Sequence, residues 1–192
     1  MEDFYYNREE IFNFNKIGQG DFGIVYEDPY HKQTALKIYR RNPDYFVNSA
    51  LVHANNAFLI KNNVIVPKGR VFINETLMGY YCERIEGFNF YQMQENEQNV
   101  DKKKLKLAVQ KGLENIKHIS NAGYTMPDLY EENIMYDKRR NRVVFIDVDS
   151  WHKVDPTKKR NKRKVKNGLK INMNAYKDSI SFYGGEHESK IR

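Results

Sequence analysis

The apolar positions change period once along this chain, near residue 100. Before that point they come in short stretches. Residues 12–17, 23–27 and 34–39 are rich in β-branched and aromatic side chains and are separated by turn formers, so each predicts a strand. Asn42 followed by Pro43 has the form of an N-cap and a first-turn proline, and Phe46, Ala50, Leu51, Ala54 and Phe58 follow at helical spacing. Residues 71–73 and 77–82 return to strand. From Asp101 the period becomes helical: Leu105, Val109, Leu113, Ile116 and Ile119 recur every three or four residues, lysines occupy the other face, and Gly123 predicts the stop. Residues 134–136 and 143–146 flank a polar stretch and predict a hairpin. Strands first, then a helix, then a hairpin predict an α+β fold in two lobes.

Composition narrows the class. A single cysteine, Cys82, excludes an internal disulfide framework and a multi-cysteine zinc site. No apolar run approaches the roughly 18 residues of a membrane span, and the acidic, aromatic N-terminus has no signal-peptide order. A cytoplasmic protein is therefore expected, with delivery into another cell as an effector the alternative route. The net charge of +7 is local: residues 158–170 hold eight basic residues and no acid, and without them 24 basic residues face 25 acidic ones.

Two constellations carry chemistry. In the first, Gly18, Gly20 and Gly23 stand in the stretch Ile17-Gly-Gln-Gly-Asp-Phe-Gly-Ile-Val25, between two predicted strands. Glycines at this spacing let a hairpin backbone approach a polyphosphate, although such a hairpin is also an ordinary turn. Lys37 follows on a later strand between apolar neighbours, either snorkelling to solvent or held for a ligand. The second constellation is Met126-Pro-Asp128-Leu-Tyr-Glu-Glu-Asn133, followed after the hairpin by Phe145-Ile-Asp147-Val-Asp149.

In this order the motifs resemble the protein-kinase-like superfamily, over roughly residues 12–183. The resemblance implies a two-lobed fold: an N-lobe of antiparallel sheet plus one helix (1–82), a hinge (83–87), and a reduced, mainly helical C-lobe (88–192) with a basic activation segment at about 150–175. It implies ATP and Mg²⁺ as cofactors. Gly18, Gly20 and Gly23 would cover the phosphates, Val25 and Ala35 would contact adenine, and Lys37 would hold the α- and β-phosphates. The Glu83 carbonyl and Ile85 amide would read the adenine edge, with Cys82 as an unreactive gatekeeper. Asp128 would orient and deprotonate the acceptor hydroxyl, and Asn133 and Asp147 would hold Mg²⁺. Asp178 would brace the catalytic loop, or be an exposed acid at a helix N-terminus. Asp149 would be a second metal ligand or a plain loop carboxylate, the latter preferred.

Departures from the family pattern shape the expected activity. Residues 45–74 contain no Asp or Glu, so the small-lobe helix has no carboxylate for Lys37; His53, Asn55, Asn56 or the phosphates themselves would have to serve. Pro127 stands where Arg is usual, and Tyr130 where a phosphate-facing Lys is usual. The expectation is a small Ser/Thr protein kinase whose basic segment draws an acidic protein substrate. An aminoglycoside-type small-molecule kinase, a nucleotide-binding pseudokinase and a nucleic-acid-binding protein are the alternatives.

Overall fold

Six short strands pair into one sheet. The computed structural model describes residues 2–96 and 100–181, a mixed α+β chain that divides into two compact units. The first comprises Met1–Ile60, Ile65–Ile85 and Asp147–Asp149; the second comprises Lys61–Val64, Glu86–Ile146 and Ser150–Arg192. The residues expected to belong to the C-terminal part thus include three, Asp147–Asp149, that group with the N-terminal one.

The first unit runs β1 (Phe4–Tyr6), α1 (Arg8–Asn13), β2 (Lys16–Gln19), β3 (Gly23–Glu27), β4 (Thr34–Tyr39), α2 (Pro43–Leu51), α3 (Ala57–Lys61), β5 (Gly69–Ile73) and β6 (Thr76–Glu83). Its strand order is β1-β5-β6-β4-β3-β2, antiparallel except that β1 lies parallel to β5. Two expectations need correction. The strand predicted at 12–17 forms only from Lys16, and Phe12 and Asn13 are helical, because Asn7 and Glu10 form a reciprocal capping box that starts α1. The helix predicted through Phe58 ends at Leu51, and α3 begins after a break. Asn42 precedes α2 in the left-handed conformation, φ 47°, without a side-chain cap, and the buried face is Val47 and Ala50. α1 closes the sheet face carrying Leu36, Ile38 and Val71, with Phe4, Tyr6, Ile11, Phe14 and Tyr81 completing that core.

The second unit runs β7 (Gly87–Asn89), α4 (Phe90–Asn96), α5 (Lys102–Asn121), β8 (Tyr124–Thr125), β9 (Ile134–Asp137), β10 (Arg142–Phe145), β11 (His152–Lys153) and α6 (Lys162–Ser179). Asp101 caps α5 by accepting from the Lys103 and Lys104 amides, and Gly123 follows its end at φ 93°. The predicted hairpin is β9–β10, extended to three strands by β7. The basic segment expected as an activation loop is instead mostly the helix α6. Gly168, Asn172 and Tyr176, four residues apart, are its buried face, and all eight basic side chains of residues 158–170 are exposed. The Tyr176 ring packs where Gly112 of α5 has no side chain; a Cβ there would lie 2.2 Å from the Tyr176 hydroxyl. That hydroxyl donates to the Val109 carbonyl at 2.8 Å. No helix among the described residues is long and apolar enough to cross a membrane.

Candidate functional site

Strand alternation on β4 separates two jobs. Leu36 and Ile38 enter the core on one face, while Ala35, Lys37 and Tyr39 share the other. Cross-strand register extends that second face: Val25 and Tyr80 sit opposite Lys37, and Cys82 sits opposite Ala35. Val25, Ala35, Lys37 and Cys82, predicted from separate motifs, thus lie on one patch of three neighbouring strands.

The three glycines are not equivalent. At Gly23 a Cβ would lie 2.5 Å from the Ile38 carbonyl oxygen, so the β3–β4 pairing itself requires glycine. At Gly18 the nearest contact would be an ordinary 3.6 Å to Val25, and at Gly20 nothing lies within 4 Å. Neither has a positive φ. Packing explains Gly23; a side chain at Gly18 would make an ordinary contact with Val25, and one at Gly20 would stand in open space.

Lys37 is the centre of the patch. Its ammonium pairs with Asp147 and with Asp149, the latter at 3.1 Å, and side-chain exposure is only 13% for Lys37 and 10% for Asp149. The Tyr39 hydroxyl donates to the same Asp149 oxygen at 2.6 Å. The rings of Tyr39 and Tyr80 lie 5.0 and 6.0 Å from the ammonium. Burial, then the neighbouring Asp149 charge, pushes the Tyr39 phenol far above its ordinary value, so it remains a donor. Burial also pushes the Asp147 carboxyl up; Lys37 opposes this and Asp149 adds to it. Two carboxylates this close share one cation because separating any of the three would strand a charge away from water.

This geometry corrects the reading of Asp149 as a plain loop carboxylate. β10 ends at Phe145, and Asp147 adopts a left-handed conformation with φ 64°, a costly one for a residue with a side chain. Val148 is fully buried between the two acids. The turn, not a continuing strand, is what brings both carboxylates to Lys37. Cys82, intermediate in exposure, has its thiol pushed up to about 12 by burial, against the pull of Lys37 and Lys68. At the end of β6 the Arg84 amide donates to the Gln33 carbonyl at 2.8 Å, so alternation turns the backbone groups of Glu83 toward the opposite edge. Ile85, half-buried, lies two residues past β6.

Asp128 and Asn133 belong to the second unit. There the chain is held by its own backbone: the Tyr130 amide and the Asn133 side-chain amide both donate to the Asp128 carbonyl at 2.9 Å. Leu129 is buried, while the Asp128 side chain is exposed. The Ile146 amide donates to the Asn133 carbonyl at 3.0 Å, and the next residue is Asp147. Tyr130 is exposed at 59% and Pro127 is exposed.

The segment also has a support that pattern reading missed. Fully buried Asn172 of α6 accepts from the Met126 amide at 3.2 Å and donates to Ser120 Oγ and to the Tyr124 carbonyl. Ser179 Oγ donates to the Leu129 carbonyl at 3.4 Å. Asp178, expected as the brace, is exposed at the C-terminal end of α6, so neither of its expected placements holds; Ser179 and Asn172 make the contacts. Phe182, part of the stretch read with Asp178, lies outside the described residues.

No protein-family model matches this chain, and no curated protein matches it. The kinase-like reading therefore rests on the residues themselves. Among the described residues no group of three or more His, Cys, Asp or Glu side chains could hold a metal alone. Carboxylate and amide oxygens of the kind Asp147 and Asn133 each carry are the donors Mg²⁺, a hard cation, takes beside waters and phosphate oxygens.

Proposed function

We propose that this protein transfers the γ-phosphoryl group of ATP to a Ser or Thr hydroxyl of a protein substrate, in a two-lobed kinase-like fold. The observation that carries the reading is the Lys37 cluster: a strand lysine meets Asp147, 110 residues away in sequence, on a sheet face that also carries Val25, Ala35 and Cys82. An ordinary surface lysine would have no reason to be enclosed with two acids on this face.

In this reading the Val25, Ala35 and Cys82 face receives adenine, and the edge at Glu83 and Ile85 supplies its hydrogen bonds. The backbone at Gly18 and Gly20, bare of side chains, lies over the phosphates, and Lys37 holds the α- and β-phosphates. Asp128 accepts the proton of the attacking hydroxyl as its oxygen bonds to the γ-phosphorus, while the bond to the β–γ bridging oxygen breaks and ADP leaves. Asn133 and Asp147 would hold Mg²⁺, whose charge offsets that of the phosphate oxygens. The exposed basic side chains of residues 158–170 favour an acidic protein substrate and disfavour the cationic substrates of aminoglycoside-type kinases.

The test is labelling with γ-labelled ATP, Mg²⁺ and an acidic protein pool, comparing wild type with Asp128→Ala and Asp147→Ala. Labelling of Ser and Thr by wild type alone is expected. Equal labelling by all three proteins overturns the reading. Tight Mg²⁺-dependent ATP binding without transfer would instead favour a nucleotide-binding scaffold, a reading the already neutralised Lys37 also accommodates.

A further inference from the structure

We propose that Asp149 is the carboxylate that positions Lys37 toward the nucleotide, replacing the helix acid that this chain lacks. The inference rests on the phosphoryl-transfer reading above and assigns a residue that reading does not require. An ammonium on a four-carbon stem samples many rotamers, and a fixed anionic partner holds it in one before the phosphates arrive. Residues 45–74, which include most of α2 and all of α3, contain no acid, and the one acid of α2, Asp44, is exposed in its first turn.

Asp149 has the properties such a partner needs. Its Oδ2 lies 3.1 Å from the Lys37 ammonium and receives the Tyr39 hydroxyl at 2.6 Å. Tyr39 is fully buried, so its hydroxyl fixes the carboxylate from a rigid base. The two acids on Lys37 differ in enclosure: Asp147 is 30% exposed and Asp149 only 10%. This divides the labour. Asp147, the more open carboxylate, is available to the nucleotide's cation, whereas Asp149 stays on Lys37 throughout. The left-handed turn at Asp147 and the buried Val148 are what let one short segment deliver both acids.

Asp149 is thus a positioning residue, and its test must separate positioning from fold support. The Lys37 ammonium is followed by ¹H–¹⁵N correlation in nucleotide-free protein, assigned by its loss in Lys37→Arg, alongside KM for ATP and kcat. In Asp149→Asn the Lys37 signal is expected to shift or broaden away, with KM for ATP up about tenfold, the size of a lost charged hydrogen bond. Asp149→Glu should recover part of the change. Tyr39→Phe, which keeps the charge and the ring, should raise KM about threefold and guards against an Asp149 variant that fails to fold. An unchanged Lys37 signal and unchanged KM in Asp149→Asn and Tyr39→Phe overturn the proposal, whatever happens to Tm. If Lys37 responds to Asp149 but wild type binds no Mg²⁺·ATP by calorimetry, phosphoryl transfer itself fails, and the nucleotide role of Asp149 fails with it.

Discussion

The Lys37 cluster and the 128–133 segment are built on opposite physical plans. The first is a set of enclosed charges from β4 and a distant turn, each neutralising the other. The second is a local fold of backbone hydrogen bonds, anchored by Leu129 and Asn172, that presents an exposed carboxylate. Where charges hold the structure, function and stability are inseparable. Where the backbone holds it, the side chain is free for chemistry. The contrast predicts that mutations in the two regions will divide differently between activity and stability.

The largest effect is expected at Asp128. Replacing it with Asn should lower phosphoryl transfer by about 10²- to 10⁴-fold, the usual contribution of a general base. Because the side chain is exposed and the loop is held by main-chain groups, Tm should stay within about 2 °C. A large fall in Tm would show that the acid holds the segment together and would break the contrast. At Lys37 the outcome should be mixed. Lys37→Met leaves Asp147 and Asp149 facing each other without a cation, and denaturant titration of nucleotide-free protein should show a loss of about 3 kcal/mol, the low end for a stranded buried charge since Asp147 retains some exposure. Full stability in that variant would mean the cluster is loosely solvated.

The glycine hairpin allows the same division within one loop. Gly23→Ala sets a methyl against the Ile38 carbonyl and should cost about 2 kcal/mol of stability by denaturant titration. Gly20→Ala meets nothing and should leave stability unchanged while weakening ATP binding roughly fivefold by calorimetry, about 1 kcal/mol. If Gly20→Ala binds ATP as wild type does, the open space at Gly20 has no ligand role.

What could be read from the chain follows the same line between local and distant causes. β3, β4, α5 and the β9–β10 hairpin were legible because their periodicity and turn residues act within a few positions. Residues 12–17 misled because Phe12 and Phe14 look strand-like, while the deciding signal, the Asn7–Glu10 capping box, lies upstream. The sixth strand, β1, was missed: its three residues pair in parallel with β5, 67 positions away, a contact no local pattern announces. In α6 the density of lysines hid a helical face made of Gly168, Asn172 and Tyr176, none of them a typical core aliphatic. Asp149 was undervalued for a related reason. It reaches its partners, Lys37 and Tyr39, through the left-handed turn at Asp147, and a strand-continuing reading has no place for that turn.

The last prediction concerns Cys82, which reports how dry the Lys37 face is. With its thiol pushed up to about 12, the native protein at pH 8 holds about one thiolate in ten thousand, against roughly a quarter for an unfolded thiol near 8.5. Iodoacetamide should therefore modify native Cys82 at least about a thousandfold more slowly than the unfolded chain. The linked effect on stability has a definite sign. Since the folded pKa lies above the unfolded one, the unfolded state loses its proton first, and stability falls as pH rises above about 8.5. Between pH 7 and 9.5 the thiol alone should remove about 1.4 kcal/mol, seen as a steeper decline for wild type than for Cys82→Ala in paired denaturant titrations. Equal slopes together with rapid alkylation would mean that water reaches the face beneath Lys37. The ion cluster would then be a solvated one, and the contrast with the 128–133 segment would be one of degree.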